Sequence, residues 1–154
     1  MVHDREILDW LLDQGADINR GGMLETVRGS GRSYSDNTCG VLNKVAAQGD
    51  IELFDHLVSR GADPARSNAL HYAVTCEDQG KSAAMIQHLI ETYRLDVNAH
   101  DGHDGLNELA DTIMGEYGPW GRPLNIAIRY GNLPAIDTLL KYNADVSTYI
   151  DKSI

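Results

Sequence analysis

Two cysteines, Cys39 and Cys76, are all that the 154 residues contain. They are too few and too far apart for a disulfide framework or a thiolate zinc site, and read as reduced thiols of an intracellular protein. Apolar runs are only a few residues long, so no segment is expected to span a bilayer. Met1 to Glu6 lacks the basic start and apolar stretch of a secretory signal, and no Asn-x-Ser/Thr acceptor occurs. Basic residues are also scarce, 13 Lys and Arg against 23 Asp and Glu, for a net charge of −10 and a pI near 4.8. Neutralising phosphates takes clustered Lys and Arg, so nucleic acid and anionic membranes are excluded as partners. Basic or neutral protein surfaces remain. No phosphate loop occurs, because Gly29-Ser30-Gly31 has neither a strand before it nor Lys-Ser/Thr after it. These absences describe a soluble cytoplasmic chain (the nucleus is also open) that holds no cofactor.

What the chain does have is repetition. Hydrophobic residues at 42% and charged residues at 23% suit one globular domain over 1–154. Four amphipathic stretches share one pattern: Ile7-Leu8-x-x-Leu11-Leu12, Leu53-Phe54-x-x-Leu57-Val58, Met85-Ile86-x-x-Leu89-Ile90 and Ala135-Ile136-x-x-Leu139-Leu140. Apolar residues at i, i+1, i+4 and i+5 make one stripe on a helix. Each stretch leads into a similar ending: Gly15-Ala16-Asp17-Ile18-Asn19, Gly61-Ala62-Asp63-Pro64, Leu95-Asp96-Val97-Asn98 and Asn143-Ala144-Asp145-Val146. Gly or Asn just past the stripe suits the left-handed residue that ends a helix. Upstream of three of them stands a second, shorter helical mark: Val41-Leu42-Asn43-x-Val45-Ala46-x-x-Gly49, Ala69-Leu70-His71-x-Ala73-Val74 and Pro123-Leu124-Asn125-x-Ala127-Ile128-x-x-Gly131-Asn132. Small residues let two helices approach, Gly allows a tight turn between them, and Pro123 is tolerated at a helix start.

Helix, turn, helix and a Gly-Ala-Asp-Val-Asn-like connection together resemble the ankyrin-repeat family, most fully from Arg122 to Val146. The resemblance implies an all-α solenoid of stacked helix-turn-helix units with β-turn fingers. It divides the chain into a partial repeat at 4–19, an insertion at 20–38, repeats at 39–64 and 66–98, an insertion at 101–119, a repeat at 121–146 and a tail at 147–154. One unit alone cannot bury its apolar face, so the stack is the folding unit. The first unit has only its second helix, Asp4 to Gln14. The chain is then a segment of a longer array, or this helix is covered by other residues or by a second subunit in a homo-oligomer.

The resemblance also implies a non-catalytic module that holds a protein or peptide in a concave groove of inner helices, flanked by fingers. The groove positions are Ala47 and Gln48, Thr75 and Cys76, and Arg129 and Tyr130. Aromatic and Arg side chains dominate interface hot spots, which adds Trp120 and Tyr117 from the second insertion and Tyr34 from the first. Arg28 and Arg32 accompany Tyr34 in a Gly- and Ser-rich loop. The two long fingers would stand on the order of 20 Å apart. Leu106, Leu109, Ala110, Ile113, Met114 and Tyr117 give the insertion at 101–119 an amphipathic helix, capped by Asp104. The insertion at 75–84 extends a helix end or adds loop. His71 is expected to bond backbone between fingers. Asn19 and Asn98, at a position hydroxylated in some relatives, are expected to tighten their own turns. The run His100-Asp101-Gly102-His103-Asp104-Gly105 is the one cluster that resembles a metal site, but it lacks a calcium-loop register and a third zinc ligand. No metal or catalytic residue is assigned. The alternatives are a structural or oligomerisation segment of a longer array and, less favoured, a metal-binding or enzymatic domain built on that run.

Overall fold

Each of the four hydrophobic stripes becomes a helix, and the residue after it stops that helix. The computed structural model describes residues 2–20, 39–99 and 121–147. Among the described residues there are seven α-helices and no strand. They are α1 (Val2–Asp13), α2 (Gly40–Gln48), α3 (Ile51–Ser59), α4 (Ala69–Ala73), α5 (Gln79–Tyr93), α6 (Pro123–Tyr130) and α7 (Leu133–Lys141). Helices α2/α3, α4/α5 and α6/α7 pack as antiparallel pairs, and the inner helices α2, α4 and α6 lie side by side. Helix α1 is an outer helix with no inner partner among the described residues. The insertion helix expected at 106–117 lies outside them, as do the first insertion beyond Arg20 and the tail beyond Ser147.

Two devices set the turns. Gly49 and Gly131 end inner helices with φ of 71° and 64°, the left-handed region that a side chain resists. The next residue then caps the outer helix: Asp50 accepts from the Leu53 N–H and Asn132 from the Ala135 N–H. The third unit lacks that Gly. Its inner helix stops at Ala73, and Asp78 caps α5 by accepting from the Lys81 N–H. The insertion at 75–84 is thereby divided between a loop and the first turns of α5, which at 15 residues is the longest helix described. At the outer-helix ends Gly15, Gly61 and Asn143 take φ of 92°, 103° and 64°. The third unit uses Arg94 there instead, at 56°, a conformation that costs a side chain about 1–2 kcal/mol.

One core runs through the stack. Leu42, Phe54, Leu57, Met85, Ile86, Leu89, Ile126 and Leu139 are fully buried, as are the small Ala46, Ala69, Ala73 and Ala127 of the inner helices. Leu8 of α1 packs against that core from the end.

Candidate interaction surface

A short polar side chain folds each finger, and in two of them an Asn ties the finger to the following one. Asp17, Asp63, Asp96 and Asp145 each accept from the backbone N–H two residues on, at 2.8–3.0 Å. Asp, not Asn, therefore tightens the turn. Asn19 instead reaches across to the following finger, donating to the Gly61 carbonyl at 2.9 Å and accepting from the Asp63 N–H at 2.8 Å. Asn98 likewise accepts from the Asp145 N–H at 2.7 Å. The expectation that these two asparagines close their own turns is corrected: each joins neighbouring units. His71 is buried and donates its Nε2–H to the Ala99 carbonyl at 2.8 Å, the backbone link that the resemblance implies. Asn43 fills the same position one unit earlier and accepts from the Asn68 N–H at 2.8 Å. Sequence reasoning missed Asn43, although its place after Leu42, matching His71 after Leu70, was the available signal. At Asn125, the matching position in the last unit, the buried Oδ1 has no hydrogen-bond partner.

The six expected groove positions divide. Arg129 and Tyr130 sit exposed on the last turn of α6, and Gln48 is exposed beside half-buried Ala47 at the end of α2. Thr75 and Cys76 do not lie on an inner helix, because α4 has already ended. Thr75 is half-buried and donates its hydroxyl to the Tyr72 carbonyl at 2.7 Å. Cys76 is buried against Gly49 and presents nothing to a partner, which corrects its assignment to the groove. Tyr34, Tyr117 and Trp120 lie outside the described residues, as do Arg28, Arg32 and the run His100-Asp101-Gly102-His103-Asp104-Gly105.

A cleft of ≈ 340 Å³ opens between the second and third fingers, lined by Ser67, Asn68, His71, Tyr93, Arg94 and Asp96 among others. His71, already bonded to the Ala99 carbonyl, is one of its lining residues. Among the described residues no three His, Cys, Asp or Glu converge to hold a metal. Both cysteines are free and buried, and burial raises the Cys39 thiol above its ordinary pKa, the opposite of what a nucleophile needs. Among the described residues no helix is long and apolar enough to cross a membrane.

Helix pairs stacked in a row, interlocked by finger side chains and carrying exposed side chains at the ends of the inner helices, define a helical repeat solenoid. The family model described as ankyrin repeats, in three copies, matches residues 42–150, and the chain belongs to that family. No curated protein matches it. Ankyrin repeats are generally protein–protein interaction modules without enzymatic activity.

Proposed function

We propose that this stack is a non-catalytic binding module that holds a protein or an extended peptide across the ends of its inner helices and its elongated fingers. The observation that carries this is the exposure of Arg129 and Tyr130 side by side on α6, with Tyr130 at 55%. Tyr and Arg are among the side chains enriched at interface hot spots, and both are left exposed here. Ala47 and Gln48 continue the surface on α2. The reading also includes Tyr34, Tyr117 and Trp120 of the insertions, which lie outside the described residues. A net charge of −10 favours a partner whose facing surface is basic or neutral. Two free cysteines suit a reducing cytoplasmic or nuclear setting.

The test begins with pull-down of a partner and its identification by mass spectrometry, followed by titration calorimetry. Tyr130→Ala and Arg129→Ala should each weaken binding about 30-fold, the effect of a hot spot near 2 kcal/mol, with each variant still folded by circular dichroism. A double variant that binds the identified partner as tightly as the parent chain places the surface elsewhere.

A further inference from the structure

Successive outer helices are bonded by a register that repeats. Counted from the first apolar residue of each stripe, the third position of one outer helix accepts from the fourth position of the next. Asp9 of α1 meets His56 Nε2 of α3 at 2.8 Å, and Asp55 of α3 meets His88 Nε2 of α5 at 2.7 Å. The seventh position accepts in the same way from the eighth. Asp13 meets Arg60 at 2.6 Å, and Glu91 of α5 accepts from the Tyr142 hydroxyl beyond α7. Apolar neighbours flank these rungs. On α3, Ile51 and Val58 stand at i and i+7 around Asp55 and pack into the core.

The two ends of this ladder are complementary, and no described residue covers either of them. On α7 the matching stripe is Leu133, Asp137 and Leu140, with Leu133 at 68% and Leu140 at 42% exposure. Asp137 is exposed and has no partner among the described residues. Nearby Ile128 is 46% exposed, whereas its counterparts Ala46 and Val74 are at 0% and 1% under the following unit. On α1 the fourth position is Trp10, 61% exposed, flanked by Ile7 at 58% and Leu11 at 41%. An indole N–H is a donor and nothing else, and it stands where His56 and His88 supply theirs. The eighth position, Gln14, is likewise exposed and carries an amide oxygen able to accept from Lys141, the seventh position of α7.

We propose that a second copy of this chain docks head to tail, α1 of one copy lying on the Leu133–Asp137–Leu140 stripe of the other. Trp10 donates to Asp137, and Ile7 and Leu11 supply apolar cover. The contact concerns the outer helices alone and does not use Arg129 or Tyr130, so it stands apart from the groove reading. Its two patches differ, which makes it heterologous and open-ended. A contact of one helix face lies below the size of stable interfaces, so association is weak, with Kd of roughly 0.1–1 mM.

Sedimentation velocity on the 154-residue chain should show mass rising with concentration through dimer to longer species. Trp10→Asp removes only the α1 face and Leu133→Asp only the α7 face. Both positions are on the surface, and circular dichroism checks that each variant stays folded. Trp10→Ala and Asp137→Lys serve as substitutes if either does not. Each variant alone should remain monomeric at the highest concentration. An equimolar mixture should form a 1:1 dimer and nothing larger, because it keeps one intact face of each kind. A parent chain that stays monomeric to about 1 mM overturns the proposal. So does a dimer that survives either single variant, or a mixture that fails to associate.

Discussion

At the scale of single residues, two glycines with the same backbone conformation separate two costs. Gly49 and Gly131 both occupy the left-handed region after an inner helix. A Cβ built on Gly131 meets nothing within 4 Å, so Gly131→Ala should lose only the conformational cost, about 1 kcal/mol. A Cβ on Gly49 would stand 2.7 Å from Lys81 Cβ and 3.2 Å from Cys76 Sγ, on the loop and helix of the next unit. Gly49→Ala must therefore also push α5 away, and should lose about 2–4 kcal/mol in urea unfolding. Equal losses at the two sites would show that the contact between turns carries no energy. Both glycines were legible in the sequence as turn residues. That one of them is also a packing contact was not, because Lys81 belongs to an insertion whose path no repeat pattern supplies. Arg94 shows the converse, a left-handed residue hidden because its side chain gives no sign of it.

The links between elements follow the same division. The stripes and their Gly, Asp and Asn endings made α1, α3 and α7 readable, and the small-residue marks made α2 and α6 readable, because period and stop signal agreed. Helix α5 was readable in its second half alone, since 75–84 has no apolar period and the cap Asp78 stands beside a second acid, Glu77, with nothing to single it out. Cross-unit bonds were the least readable part: Asn19, Asn43 and Asn98 act on backbone in another unit, and sequence spacing does not reveal that distance. Asn132 is the most constrained of these links. It is buried, donates to the Val74 carbonyl at 3.0 Å and to Ser82 Oγ at 2.9 Å, and caps α7 through Ala135. Ser82 spends its own proton on the Ala73 carbonyl at 2.8 Å, so it can only accept from Asn132. Asn132→Ala should cost about 2–3 kcal/mol, from a lost cap and buried acceptors left unpaired. Asn132→Asp keeps the cap, yet sets a carboxylate against two acceptors, so at neutral pH it should cost at least as much as Ala. If Asp proves as good as Asn, capping alone explains the residue and the links to α4 and α5 are idle.

At the scale of the whole molecule, stability in so short a stack is a sum over neighbours, so interactions that tie unit to unit decide how it responds to pH. His56 holds the Asp9 carboxyl below its ordinary 3.8, chiefly by a hydrogen bond. Tyr142 and then Gln87 hold Glu91 below 4.5, and Ser147 and then Arg122 hold Asp145 below 3.8. A carboxyl more acidic in the folded chain than in the unfolded one stabilises above its unfolded pKa. That contribution disappears as pH falls through the folded value. Tyr93 runs the other way. Burial, and then its bond to Asp55 at 2.5 Å, hold its phenol above the ordinary 10. Its contribution is complete below pH 10 and is lost as the pH rises further. The melting temperature should therefore be flat from about pH 5 to about pH 9, falling on both sides. Glu91 is exposed and Asp9 and Asp145 are only half-buried, so the acid limb should be shallow and sensitive to salt. Asp9→Asn, which removes the carboxylate bonded to His56 of the next unit, should lower the plateau and flatten the acid limb alone. Tyr93→Phe should lower the plateau and flatten the alkaline limb alone. Each variant removes one group from one side of the curve. If both limbs keep their parent slopes in both variants, the pH response does not come from the bonds between units.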